Sequence, residues 1–213
     1  MELTKEKRED LKKLPTGNVA DSAGRNSVME SRIKPIDPAS KMIGRAVTVE
    51  CFPGDNLALH QGMAAAEAGD VLVFDLKGFT EAGHFGDMMA TACMYKGIAG
   101  VVIDGSCRDS QDIKELGLPV FAKAFNPSGT VKESLGRVNV PVTCGGVTVK
   151  PGDIIFGDCD GVVVVPQEQE DEIFAKACKK FDYEIEVREK LLSGMSTMEV
   201  YGFDKLVESR LAK

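Results

Sequence analysis

The sequence predicts an α/β domain that ends in a long helix, and three observations carry that reading. Helix-then-strand units fill the middle: an apolar-periodic run closed by glycine leads into a short apolar run, over residues 57–75 and again over 87–103. Residues 138–165 then change to short strands broken by Pro-Gly-Asp and Asp-Cys-Asp-Gly turns. Residues 167–193 carry one helical stripe, Ile173, Ala177, Phe181, Ile185 and Leu192, stopped by Gly194. No repeat, low-complexity tract or long linker interrupts 1–213, so a single domain is expected.

Taken in order, residues 2–14 read as a short charged helix with Leu3, Leu11 and Leu14 as its apolar face, ended by Pro15-Thr16-Gly17. Asn18 reads as the cap of a second short helix, in which Asp21 is either a site residue or a first-turn acid. Pro35 and Pro38 mark an extended loop, and 44–51 alternates as a strand. Asp55-Asn56 starts a helix over 57–68, followed by a strand over 71–75. Residues 78–85 are expected as a loop carrying His84, with a plain polar contact preferred to a ligand role. Residues 88–96 form a helix with Asp87 as N-cap or first-turn acid and Gly97 as its stop. A buried strand over 99–103 is expected to end in Asp104-Gly105 turn chemistry. One helical turn over 112–116, a strand over 119–123 and a loop over 126–129 follow, with Lys132 beyond. Gly145-Gly146 has no following helix and no Gly-Lys-Ser/Thr, so it is a weak phosphate-loop signal.

The stretch 85–112 organises the rest. A helix of about ten residues rises roughly 15 Å, and a strand of about five returns roughly 16 Å. The start of the helix and the end of the strand therefore meet at one end of the unit. Open α/β sheets bind ligands beyond their strand C-termini. There the N–H groups after Gly86 can take a carboxylate or phosphate, and Arg108 adds a fork for the same anion. Asp87 and Asp109 supply hard oxygen ligands suited to Mg²⁺ or Mn²⁺. Spacing alone also fits a solvated Arg108-Asp109 pair and an Asp87 that only caps its helix.

Composition excludes several classes. The net charge is −7 and no Lys/Arg run stands out, so nucleic acid is a poor partner. No tract reaches the length of a membrane span and the N-terminus is charged, so neither secretion nor membrane insertion is expected. The six cysteines form no C-x-x-C pair and fall mostly in predicted elements; reduced, buried thiols and a cytosolic (cytoplasmic) setting follow. With only His60 and His84 to assist, a thiol nucleophile or zinc site is disfavoured, Cys107 being the one to watch. A helix of about 27 residues spans roughly 40 Å, more than a domain of this size needs. Part of it is expected to pack on a neighbouring subunit in a homo-oligomer, with Glu184 at the margin of its stripe.

Here the residues resemble a known family. Asp87, twenty intervening residues, Arg108-Asp109, two more and Asp112 are similar to the signature of class II pyruvate aldolases, which share the RraA-like fold with regulators of ribonuclease E. These are the 4-hydroxy-4-methyl-2-oxoglutarate (4-carboxy-4-hydroxy-2-oxoadipate) aldolases. The segments GNVADSAG, GRAVTV, DNLALHQGMAAAEAGDVLVFD, GVVIDGSCRD and CGGVTVKPGDIIFGDCDGVVVVP extend the resemblance over the whole chain. It implies a three-layer α/β/β sandwich related to swivelling phosphohistidine domains, assembled as a trimer or hexamer. It implies a pyruvyl group on the backbone of Gly86, Asp87, Met88 and Met89, with Arg108 as anion clamp. It implies Asp109 as the direct ligand of Mg²⁺ or Mn²⁺. Asp87 and a glutamate of an adjacent subunit, Glu184 or Glu186, would order the waters, and Asn56, Lys132 and Asp21 resemble further polar site positions. The activity implied is retro-aldol release of pyruvate, with oxaloacetate decarboxylation through the same enolate.

Two rivals come from other classes. A non-catalytic regulator of ribonuclease E lacks the aspartate after the arginine, and Asp109 is present here. A phosphotransfer domain using His84 ranks last. Another metal-dependent lyase of 2-oxo or 2-hydroxy acids stays open, because Cys107, Met88 and Met89 depart from the family pattern.

Overall fold

The computed structural model describes residues 3–212, so Glu2 of the first expected helix lies outside the described residues. The elements are α1 (Lys5–Leu11), α2 (Thr16–Ala23), β1 (Lys34–Pro35), β2 (Met42–Glu50), α3 (Leu57–Ala65), β3 (Asp70–Phe85), α4 (Asp87–Lys96), β4 (Gly100–Cys107), α5 (Ser110–Leu116), β5 (Val120–Phe125), β6 (Arg137–Val138), β7 (Val142–Cys144), β8 (Val147–Val149), β9 (Ile154–Asp158), β10 (Gly161–Val165), α6 (Glu170–Leu192), α7 (Thr197–Tyr201) and α8 (Phe203–Leu211).

The principal sheet runs β1-β5-β4-β3-β2-β9-β10, with β6 also on β2. The β2–β3, β3–β4 and β4–β5 pairs are parallel, as helix-linked crossovers require. The β9–β10 hairpin adds antiparallel to β2 through Met42↔Gly157 to Arg45↔Ile154. Lys34 of β1 donates from Nζ to the Asp160 carbonyl beside β10, so the two ends of the sheet meet and nearly close it.

Three apolar clusters make the layers. Helices α3, α4 and α5 cover one face through Leu59, Ala90, Cys93 and Ile113 on Phe74, Phe85 and Ile103. The β7–β8 hairpin covers the other through Val142, Cys144 and Val149 beside Val73, Val102 and Phe121. Helices α1, α2 and α6 pack Leu11, Val19, Ile173, Phe174 and Ala177 on the β9–β10 region. The result is the expected three-layer α/β/β arrangement with a long C-terminal helix. Gly62 sets how closely α3 approaches the sheet: a Cβ there would lie 2.4 Å from Val49 Cγ2 and 3.2 Å from Phe74.

Several boundaries differ from expectation. The strand of 71–75 and the loop of 78–85 are one 16-residue strand, β3, whose register shifts between Phe74, Phe79, Gly83 and Phe85. Asp104-Gly105 does not end the fourth strand, because β4 continues to Cys107 between β3 and β5. The Asp104 carboxylate is met by Lys123 Nζ at 2.7 Å and the Gly145 N–H at 3.2 Å, so an acid here needs no turn. Helix α2 begins on Pro15, which leaves Asn18 inside it and buried rather than capping it. The third helix stops at Ala65, and a 3₁₀ turn over residues 167–169 precedes α6. On α6, Ile173 and Ala177 of the expected stripe are buried, while Ile185 and Leu192 are exposed.

Candidate functional site

The stretch 85–112 closes on itself as its lengths require. The Arg108 N–H donates to the Phe85 carbonyl at 2.9 Å, tying the end of β4 to the residue before α4. Gly86 precedes the helix in extended backbone and offers no side-chain cap. It must be small: a Cβ would stand 2.5 Å from Asp109 Oδ2 and 3.2 Å from Arg108 Nε. Only a residue without one lets the Arg108-Asp109 corner lie against the start of α4. The Asp87 N–H donates to Asp109 Oδ2 at 3.3 Å, and Arg108 Nε lies 3.4 Å from the same oxygen. Asp109 itself sits in left-handed backbone, φ 55 and ψ 37, a conformation that aspartate tolerates better than most residues.

A cleft of about 240 Å³ opens over this corner. Gly86, Asp87, Met88, Met89 and Arg108 line it, together with Asn56, His60 and Lys132. On the far side of Arg108 and Asp109 a second hollow of about 300 Å³ is bounded by Ser110, Phe125, Asn126 and Pro127. Residues 86–89 and Arg108, far apart in sequence, thus line one cleft, while Asp109 opens on the second hollow and Arg108 borders both. As the first residue of α4, Asp87 is a first-turn acid rather than the N-cap, and its carboxylate stays at the rim.

Beside the expected Asn56, the back wall is held by residues whose role the sequence did not disclose, Asp55 and His60. Asp55, 3% exposed, accepts from the Leu57 N–H at 2.8 Å and from the Glu133 and Ser134 N–H groups at 2.7 Å. Although burial alone would raise it, these hydrogen bonds bring its carboxyl below the usual carboxylate range. The segment carrying Lys132 is thereby fastened to the start of α3. Next to it, Asn56 donates from Nδ2 to the His84 carbonyl at 3.3 Å, while its Oδ1 is buried with no partner. His60 lines the cleft one helical turn beyond Asn56, and that spacing of four was the one available sequence signal.

His84 is a strand residue with a buried ring, not a loop histidine. Its Nε2 accepts from the Gly54 N–H at 3.0 Å, and Nδ1 lies 3.4 Å from the Ser106 carbonyl. That pattern requires the neutral Nδ1–H tautomer. Burial pushes its pKa down, against the pull of the Ser106 and Ala82 backbone and of the Asp55 charge. Its expected plain polar contact is what the structure contains. Cys107 is fully buried and its thiol is pushed up to about 12, chiefly by burial, so it offers no thiolate at neutral pH. All six cysteines are free, and Cys159 and Cys178 are exposed.

Four sequence candidates stand elsewhere. Asp21, on α2, pairs with Lys180 at 2.7 Å and does not line the cleft. Asp112 is exposed in the first turn of α5. Glu184 accepts from Asn18 Nδ2 at 2.9 Å and lies 3.6 Å from Lys180, so within its own chain it stays out of the crevice. Glu186 is exposed on α6.

The donor set at the corner suits a hard cation. Asp109 presents a half-buried carboxylate against the Asp87 N–H, and such carboxylate oxygens are the donors that Mg²⁺ or Mn²⁺ takes, with several waters retained. Among the described residues the one group of three close acidic or thiol ligands is Asp158, Cys159 and Asp160. Asp158 already accepts from the Thr16 N–H and hydroxyl, so that turn is structural. No described helix is long and apolar enough to cross a membrane.

Comparisons with known proteins agree with this architecture. The sequence profile of the RraA-like family, described as Aldolase/RraA, matches residues 16–164. A Halalkalibacterium halodurans protein named "Putative 4-hydroxy-4-methyl-2-oxoglutarate aldolase" is 39% identical over 180 residues, 84% of this chain and 85% of that one. Among solved structures, an uncharacterized protein from Pseudomonas syringae pv. tomato superposes with a TM-score of 0.80 at 25% identity, over 91% and 93% of the two chains. Streptomyces coelicolor RraAS2, described as an unusual member of the RNase ES inhibitor RraA protein family, gives 0.77 at 30% identity over 87% and 96%. The profile covers well over half of the chain and the relatives span nearly all of it, so this protein belongs to the RraA-like (Aldolase/RraA) family.

Proposed function

We propose that the protein is a divalent-metal-dependent carbon–carbon lyase. It would cleave 4-hydroxy-4-methyl-2-oxoglutarate-type 2-oxo acids to pyruvate and also decarboxylate oxaloacetate. The observation that carries this is the cleft lined by the open N-terminus of α4, Asp87 and Arg108, with the Asp109 carboxylate accepting from the Asp87 N–H beside it. The aldolase names of relatives such as the 39%-identical Halalkalibacterium halodurans protein support the same reaction class.

Each residue has a task in this reading. The Met88 and Met89 N–H groups, with the positive end of the helix dipole behind them, hold the substrate carboxylate. Arg108 lies against the 2-oxo group and stabilises the negative charge that grows there as the bond between C3 and C4 breaks. Asp109 would hold Mg²⁺ or Mn²⁺, with Asp87 and the partner subunit's Glu184 ordering its waters. A bound cation supplies Lewis-acid stabilisation of that same charge. A water beside Asp87 would receive the proton of the C4 hydroxyl. Loss of that proton turns C4 into a carbonyl and leaves the C3 electron pair as pyruvate enolate. Asn56, His60 and Lys132 line the back of the cleft for the distal end of the substrate.

The exposed faces of α6 and α8, with Ile185, Leu192, Leu206 and Leu211 open, support assembly into a homo-oligomer, a trimer or hexamer. A cytoplasmic setting accords with the unpaired cysteines. The second reading, a regulator of RNA processing, draws on structural neighbours described as RNA-processing or RNase ES inhibitors. A coupled pyruvate assay separates the two. Purified protein with Mg²⁺ should release pyruvate from 4-hydroxy-4-methyl-2-oxoglutarate and from oxaloacetate, and EDTA or Asp109→Ala should abolish it. Turnover that survives both changes removes the metal mechanism. No turnover on any 2-oxo acid, with tight binding to a ribonuclease, favours the regulator.

A further inference from the structure

The anion seat at the start of α4 already has an occupant, and it comes from this chain. The Ala90 N–H donates to the Gly86 carbonyl, which leaves the Asp87, Met88 and Met89 N–H groups of the first turn without helical partners. Of these, Asp87 alone finds an acceptor among the described residues, Asp109 Oδ2 at 3.3 Å. The same oxygen is the one 3.4 Å from Arg108 Nε. One carboxylate therefore draws on both features that would attract a substrate anion, the helix N-terminus and the guanidinium.

Its aim is unusual for its position. Asp109 is the N-cap residue of α5, where an aspartate side chain ordinarily accepts from its own helix. Here it makes no such bond and turns back to α4 instead, from a left-handed backbone at φ 55. The absence of a Cβ at Gly86 leaves the space it fills, since one would stand 2.5 Å from Oδ2. A separate observation points to a ligand in the crevice: Asn56, 8% exposed, lines it, and its buried Oδ1 has no partner among the described residues.

We propose that Asp109 is an intramolecular competitor for the substrate carboxylate. In the cation-free protein it occupies the α4 N-terminus and screens Arg108, and a divalent cation that engages its oxygens frees the seat. Cation binding then precedes substrate binding, because the charge that repels the incoming carboxylate is the one the cation neutralises. This rests on the reading of the α4 N-terminus as the carboxylate seat given above.

Titration calorimetry of the full chain with pyruvate tests it without turnover. Asp109→Gly removes the carboxylate and suits the positive φ, and a thermal melt confirms its fold. In EDTA, Asp109→Gly should bind pyruvate about tenfold more tightly than the unsubstituted protein. Asp109→Asn, which keeps an acceptor oxygen but no charge, should fall between. Mg²⁺ should strengthen binding to the unsubstituted protein and leave Asp109→Gly unchanged. If Asp109→Gly in EDTA binds no better than the unsubstituted protein, while Mg²⁺ promotes binding that Arg108→Ala loses, the competitor role is overturned and the seat stands. If pyruvate binds to none of these, with Mg²⁺ present, both readings fall.

Discussion

At the scale of single residues, the back of the cleft depends on an imidazole that must stay uncharged. His84 accepts the Gly54 N–H on Nε2 and receives the Asn56 amide on its carbonyl, so it holds the start of α3 from two sides. Protonation would replace that acceptor with a donor facing a donor. Burial lowers its folded pKa below the unfolded value of about 6.5. The unfolded chain then binds the extra proton first, so this contribution to stability is complete above about pH 6.5 and is lost as pH falls through and below it. Melting temperature should drop between pH 7 and 5.5, and His84→Gln, which keeps an acceptor and cannot titrate there, should flatten that drop. A variant whose melt follows pH as steeply as the original protein would assign the effect to other groups. The Asp55 carboxyl, held low by three backbone N–H groups, adds its own loss only at more acid pH.

At the scale of elements, α3 and β3 show what local pattern can and cannot specify. Gly62 sits where α3 meets Val49 and Phe74, and Gly62→Ala would press a methyl into Val49. A loss of about 2 kcal/mol in chemical denaturation is expected, although alanine is the better helix former. A stabilised variant would mean that α3 lifts without cost.

The helix-strand alternation, the Gly97 and Gly117 stops and the meeting of residues 86–89 with 108–109 were legible, because each follows from short-range periodicity and element length. The second half of β3 was not. Gly78, Thr80, Glu81 and Gly83 read locally as a turn-forming loop, yet β4 offers them a backbone edge and the strand continues by shifting register. Asn18 was misplaced for a related reason, since Pro15 starts α2 and the Asn18 amide is used by Glu184, 166 residues away. The clamp of Asp55 on Glu133 and Ser134 likewise bridges a separation that no local pattern encodes.

At the scale of the whole molecule, the proposed site can be tested for a contribution from a second subunit. Asp87 and Arg108 line one cleft with Asp109 held against the Asp87 N–H, while Glu184 is held on α6 by Asn18 and Lys180. Past that point the C-terminal arm buries little of itself: α7 and α8 contain no buried residue. If the partner subunit's Glu184 completes each crevice, Asp109→Ala and Glu184→Ala should each be inactive alone. Co-expressed, they should recover a measurable fraction of activity, because mixed oligomers contain crevices with both groups intact. No recovery in oligomers shown by mass to be mixed would place the missing water ligand elsewhere.

The antiparallel seam between β2 and β9 joins residues such as Arg45 and Ile154, about 110 positions apart. At a synthesis rate of about 5–20 residues per second, β2 leaves the ribosome roughly 5–20 s before its partner exists. During that interval the β2 edge over residues 42–45, in a strand rich in apolar residues, is open to any other strand. The nascent chain should therefore lean on holding chaperones until its last third emerges, and truncation before residue 154 should send it to aggregates rather than to a smaller folded core.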